Sequence, residues 1–267
     1  MKLKLKKNVK KIIFYSLELI FIGLIIFSCI KIGHWWLNSK NSEKIVNELK
    51  EAVIIKEEYS NDKPNDKFII DFDLLKSKNK DTVAWLKVYG TNIEFPIVKT
   101  TDNEYYLTHS FDRSNNYFGW PFINYINKFD GNDKNITIFG HGILNGSMFG
   151  TLKNVIKEDW QRSNNAIILV TENGANAYQV FSTYKVEDEA LFFKAEFNNE
   201  QDFEEFISTV TKRSNHNYGV EVTKDDQILT LATCDINDHY RIVLHAKKII
   251  NEDNNEQSNW SKTNTIK

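Results

Sequence analysis

Nineteen consecutive residues, Ile12 to Ile30, are apolar apart from Ser16, Glu18 and Ser28. As a helix they would span about 28 Å, close to a bilayer core of about 30 Å. Lys2, Lys4, Lys6, Lys7, Lys10 and Lys11 precede the run and no lysine lies within it. With Glu18 this leaves +5 on residues 1–30 and −7 on the remaining 237 residues. Basic residues on that flank predict a cytoplasmic N-terminus, with the bulk of the chain outside. Trp35 and Trp36 follow where an interfacial aromatic anchor belongs. Glu18 costs a few kcal/mol on insertion scales, which the Ile, Leu and Phe content offsets. The expectation is an uncleaved signal anchor. A cleaved signal peptide lacks an A-x-A-like site in Ile30–Lys40, and a lipoprotein signal ending at Cys29 would place the bulky Phe27 beside the cleavage point.

The rest of the chain reads as globular. Of all 267 residues in the chain 41% are hydrophobic and 26% charged, which excludes wholesale disorder and collagen-like or coiled-coil chains. Two cysteines exclude a disulfide scaffold and a Cys-rich zinc module. A formal charge of −2 with no basic stripe argues against nucleic acid as a partner. The expected division is a cytoplasmic basic segment (1–11), the anchor (12–30), a juxtamembrane and N-terminal helical segment (31–66), a catalytic β domain (67–250) and a polar tail (251–267).

Apolar residues at three- and four-residue spacing (Ile45, Leu49, Val53, Ile54) predict a helix over residues 40–60. Asn61–Asp66 reads as a polar break, and Asp71–Lys78 as a short helix. Seven short segments rich in β-branched and aromatic residues follow: 83–88, 93–98, 136–140, 166–170, 177–186, 227–233 and 241–249. Strands at this density, without alternating long helices, predict a mainly β fold, a barrel or sandwich with helical insertions at 147–156 and 201–212.

Cys234 is the only cysteine outside the apolar run. It ends the apolar strand 228–233, a position from which a catalytic side chain can emerge. Arg241 opens the next predicted strand, so a hairpin would bring it beside Cys234. A guanidinium stays charged at any relevant pH and is a planar donor suited to an oxyanion. His141 ends the strand 136–140 between Gly140 and Gly142, which would allow a tight turn that projects the imidazole. A thiol needs such a base or cation nearby to act as a nucleophile. His109, His216 and His239 lie in polar segments and read as solvated, and His245, within a strand, as structural. Asp71, Asp73 and Asp81 read as solvated acidic surface.

Thr230-Leu231-Ala232-Thr233-Cys234, with Arg241 downstream, resembles the sortase motif T-L-x-T-C and its arginine. Ile138-Phe139-Gly140-His141 followed by Asn145-Gly146-Ser147-Met148-Phe149 resembles the class B histidine motif Y-G-H-x-x-x-x-G-S-M-F. Residues 92–98, Asp102–Leu107 and the helix at 201–212 are also similar to class B sortases, so the resemblance covers residues 45–250. It implies a closed β-barrel of about eight strands with N-terminal helices, preceded by one transmembrane helix. It also implies a membrane-anchored cysteine transpeptidase with no cofactor and no metal. Cys234 would be the nucleophile, His141 the acid and base, and Arg241 the holder of substrate and oxyanion. Asn103, Leu107, Ala232, Thr233 and Asp235 would contact the substrate.

The implied partners are secreted proteins bearing a C-terminal sorting signal of N-P-x-T-x type, and an acceptor amine from a peptidoglycan precursor or a pilin. Anchoring, haem-uptake and pilus-polymerising roles all fit a Gram-positive cell surface. Three positions depart from the pattern: Ala232 for serine, Asp235 for glutamate and Phe139 for tyrosine. The alternatives are a cell-wall cysteine hydrolase and a non-catalytic surface-binding module.

Overall fold

The computed structural model describes residues 7–60, 63–163, 166–187, 190–234 and 240–249. They divide into two compact units, Met1–Asn41 and Ser42–Lys267. The first belongs to helix α1 (Lys7–Leu49), whose apolar stretch is long enough to cross a membrane and lies exposed throughout. In the second unit the end of α1 buries Ser42, Ile45 and Leu49, followed by a 3-10 turn that buries Ala52.

The helix expected over 40–60 stops at Leu49. Strand β1 (Val53–Ser60) pairs in antiparallel register with β2 (Lys63–Ile70), from Val53–Ile70 to Ser60–Lys63. Val53, Ile54 and Ile55 form a β-branched run, and strand pairing overrides the helical spacing of the first two. The polar break expected at Asn61–Asp66 is in part strand. Asp71 caps α2 (Phe72–Lys78) by accepting from the Leu74 N–H at 2.8 Å, so it is an N-cap and not loose acidic surface.

The chain continues through β3 (Thr82–Val88), β4 (Glu94–Val98), β5 (Phe122–Ile123), β6 (Asn135–His141), α3 (Glu158–Ser163), β7 (Ala166–Thr171), β8 (Gly174–Glu187), α4 (Glu200–Lys212), β9 (Ile228–Cys234) and β10 (Tyr240–Lys248). Among the described residues, eight strands close a barrel in the order β10-β8-β7-β3-β4-β5-β6-β9. The seven strands anticipated from sequence are all present, and the two-residue β5 completes the ring. The insertion expected at 147–156 is 3-10 rather than α, over Leu152–Ile156. The one at 201–212 is α4, capped by the Asn199 side chain and burying Phe203, Phe206, Ile207 and Val210.

Two pairings are parallel, β4 with β5 and β6 with β9. The second puts the C-terminal ends of β6 and β9 side by side. β10 then runs antiparallel to β9, so its N-terminal end lies at that same rim.

Candidate active site

Residue-by-residue pairing of β6 with β9 runs from Asn135–Ile228 to His141–Cys234, so the backbones of His141 and Cys234 are register partners. The β9–β10 register includes Val243–Ala232. Continued two residues, it sets Arg241 level with Cys234. Three neighbouring strands therefore bring a thiol-bearing, an imidazole-bearing and a guanidinium-bearing residue to one end of the barrel. Arg241 is half-buried, and its Nη1 lies 3.5 Å from the Tyr240 carbonyl. Beside it the Lys185 ammonium sits 4.2 Å from the centre of the Tyr240 ring.

His141 does not project from a turn. It is buried as the last residue of β6, and neither neighbouring glycine has a positive φ. Gly140 serves close packing instead. A Cβ there would lie 2.7 Å from the Phe149 ring, which is fully buried. The Phe149 N–H in turn donates to the His141 carbonyl at 2.9 Å, and the Ile143 N–H to the same oxygen at 3.1 Å. The loop closes with Met148 at φ 49° and Gly150, where a Cβ would meet the Ile143 carbonyl at 2.1 Å. The spacing from Gly140 to Phe149 is thus a packing requirement that fixes the backbone of His141.

The ring is fixed separately. His141 Nε2 lies 2.8 Å from the main-chain carbonyl of Leu107. That carbonyl ends a 3-10 turn, Tyr105–Leu107, whose first N–H groups are held by Asp102. The Asp102 carboxylate accepts from the N–H groups of Glu104 and Tyr105, both at 2.8 Å. These bonds hold its pKa below the usual carboxylate range. The turn is pinned from behind by Tyr106. Its buried phenol donates to Asp81 at 2.9 Å and accepts from the Asn79 amide at 2.7 Å. Burial, with lesser effects from these neighbours, pushes the phenol pKa up to about 12. Arg113 also pairs with Asp81, which is therefore no solvated surface carboxylate.

Asn103 spends its amide within the protein, donating to Asn124 at 3.0 Å and accepting from the Tyr125 N–H at 2.9 Å. The Leu107 side chain packs half-buried against the core, and its contribution at the site is its carbonyl. Ala232 is fully buried, and Thr233, also buried, accepts from the Ile242 N–H at 2.9 Å and so ties β9 to β10. Neither presents an exposed side chain to a peptide. Asp235 and His239 lie outside the described residues. His109 and His216 are half-buried rather than solvated, each with a ring nitrogen 2.8 Å from a main-chain carbonyl (Tyr105 and Ile156). His245 is structural, as its strand position implied, and is buried.

Gly119 went unmarked in the sequence. It has φ +59°, and a Cβ there would lie 2.4 Å from the Tyr106 carbonyl, 2.9 Å from that of Leu107 and 3.0 Å from His141 Cδ2. Its only sequence signal is the Phe-Gly-Trp context, which carries no turn chemistry of its own.

The sortase domain family matches residues 86–249. The chain is 31% identical over 247 residues to sortase B of Listeria monocytogenes serovar 1/2a, covering 91% of this chain and 99% of that protein. It is 32% identical over 183 residues to sortase B of Staphylococcus aureus, covering 67% and 74%. Among solved structures it is similar to Clostridium perfringens sortase B, with a TM-score of 0.64 and 33% identity over 67% of this chain and 100% of that one. Bacillus anthracis sortase B, crystallised in complex with AAEK1, gives a TM-score of 0.71 and 26% identity over 81% and 100%.

Proposed function

The chain belongs to the sortase family as a sortase B-type cysteine transpeptidase, and on that premise we propose that it acts at the cell surface from a membrane anchor. It cleaves a C-terminal sorting signal of N-P-x-T-x type after the threonine. It then passes the protein to an amine of the cell wall or of another surface protein. The parallel register that pairs His141 with Cys234, with Arg241 on the next strand, carries this reading.

The Cys234 thiolate attacks the threonine carbonyl, and the tetrahedral oxyanion is met by the guanidinium of Arg241. Collapse breaks the C–N bond, His141 gives its proton to the leaving amine, and a thioester remains on Cys234. An acceptor amine then attacks the thioester, and His141 takes the proton released. The new amide forms as the thiolate leaves. Two easier steps replace one difficult amide exchange.

The apolar part of α1 is the proposed anchor, with the lysine-flanked end in the cytoplasm and the barrel outside. Asn103, Leu107, Ala232, Thr233 and Asp235 remain the proposed lining of the substrate groove. Ala232 and Thr233 would contribute through backbone, given their burial.

The full chain in detergent micelles, given a quenched fluorescent peptide with an N-P-Q-T-N core, tests the reaction. Cleavage after threonine that disappears in Cys234→Ala, with a hydroxamate product when hydroxylamine is added, is the expected outcome. A reactive Cys234 with no cleavage of this peptide would overturn the proposed signal. Cleavage that persists in Cys234→Ala would overturn the thioester itself.

A further inference from the structure

We infer that the Leu107 main-chain carbonyl, brought up to the imidazole because residue 119 is glycine, locks His141 with its proton on Nε2 and so assigns all proton transfer to Nδ1. This rests on the reading of His141 as the acid and base of the reaction. A carbonyl oxygen can only accept, and it stands 2.8 Å from Nε2. Nε2 must therefore carry hydrogen in both the neutral and the cationic ring. In the neutral ring the lone pair is on Nδ1, and in the cation Nδ1 holds the proton that can leave. When the C–N bond of the scissile amide breaks, the Nδ1 proton goes to the departing nitrogen and the ring becomes neutral. When the acceptor amine attacks, its proton returns to Nδ1.

Three features hold the carbonyl in place. The 3-10 turn that it ends is capped by Asp102 at one end and pinned through Tyr106 to Asn79 and Asp81. The ring is buried, so water cannot readily replace the carbonyl. Gly119 supplies the third. Its backbone fills the corner between the carbonyls of Tyr106 and Leu107 and the Cδ2 edge of His141, in a left-handed conformation. Any Cβ would enter the space of two backbone carbonyls, which cannot retreat as a flexible side chain could. Gly119 is thus a positioning residue, and it acts through Leu107.

Two measurements test this in the full chain in detergent micelles. The first is the two-bond nitrogen–proton correlation spectrum of ¹⁵N-histidine-labelled protein, with His141 assigned by its loss in His141→Gln. For the neutral ring the expected pattern is a protonated Nε2 and an unprotonated Nδ1. The opposite tautomer, or a mixture of the two, overturns the inference. The second measurement takes the activity and the same spectrum of Gly119→Ala, which should lower kcat about 10- to 100-fold with KM within about twofold and replace the single tautomer by a mixture.

Should Gly119→Ala fail to fold, replacing Thr108 by its α-hydroxy analogue turns the Leu107 amide into an ester, whose carbonyl is a weaker acceptor. The Thr108 N–H bond to the Tyr105 carbonyl is lost with it, but His109 Nδ1 still lies 2.8 Å from that oxygen. The single tautomer should again give way to a mixture, with a smaller loss of kcat. A folded variant that keeps the wild-type spectrum and kcat overturns the inference. Full activity in His141→Gln would overturn the acid–base reading of His141 instead, whatever the tautomer.

Discussion

His245 is the residue whose surroundings contradict its chemistry most sharply. It is fully buried, with Tyr184 Oη 2.8 Å from Nε2 and Thr230 Oγ1 2.8 Å from Nδ1. Asn135 gives its amide to the Lys194 carbonyl and accepts the Thr230 hydroxyl at 2.7 Å. Thr230 must then accept from Nδ1–H, which leaves Nε2 to accept from the Tyr184 phenol. Both nitrogens are committed to a neutral ring. Burial, with a smaller contribution from Arg213, lowers its pKa to about 3. The unfolded chain binds this proton below about pH 6.5 and the folded chain does not. Stability from this group is therefore complete above pH 6.5 and is lost as pH falls from there toward 3, by up to about 5 kcal/mol. Urea midpoints of wild type and His245→Gln should converge between pH 7.5 and 4.5. A constant gap would sink the account. The proposed catalytic residues were legible in the sequence because each needs a rare residue type at a strand end. Gly119 and the Leu107 carbonyl were not, because a main-chain acceptor has no side-chain signature and a single glycine has many uses.

At the scale of elements, α4 shows why some pieces read easily. Its apolar residues recur on one face over more than three turns, and the Asn199 cap precedes two acidic residues in the first turn. That face meets the barrel at Phe206, whose ring packs edge-on against His245 and Phe197. Phe206→Ala should cost about 3–5 kcal/mol. Asn199→Ala, which loses the 2.9 Å bond to the Asp202 N–H, should cost about 1 kcal/mol. Chemical denaturation of both variants checks the pair, and equal losses would mean that α4 is not held through its buried face. The hairpin β1–β2 shows the opposite case. Its first strand carries apolar residues at helical spacing, and only pairing with β2, whose Pro64 and Asp66 read as turn residues, makes it a strand. The short β5 was invisible for another reason. Two residues set no periodicity, and Phe122 and Ile123 are strand only because β4 and β6 lie on either side.

At the scale of the molecule, the apolar run and the barrel are separate compact units, and the boundary falls within α1 at Asn41 and Ser42 rather than at the end of the apolar run. The last part of that helix belongs to the globular unit. Ile45 and Leu49 join its core, and the buried Ser42 hydroxyl accepts from the Asn116 amide at 3.0 Å. Asn116 in turn accepts the Gly119 N–H through its carbonyl at 2.9 Å, so the helix end reaches the segment that borders His141. A chain that starts at Ser42 should fold with its core intact and keep its peptide-cleaving activity in the absence of detergent. A chain that starts at Val53 loses Ile45, Leu49 and Ala52. Truncating one buried leucine costs about 2–5 kcal/mol, against a total stability of about 5–15 kcal/mol. It also leaves the Asn116 amide without the Ser42 hydroxyl. That shorter chain should melt well below the first and, where still folded, should cleave peptide more slowly. Thermal melts and single-turnover rates on the two truncations decide the matter. Equal melting temperatures would mean that the end of α1 is a tether to the barrel and no part of its core.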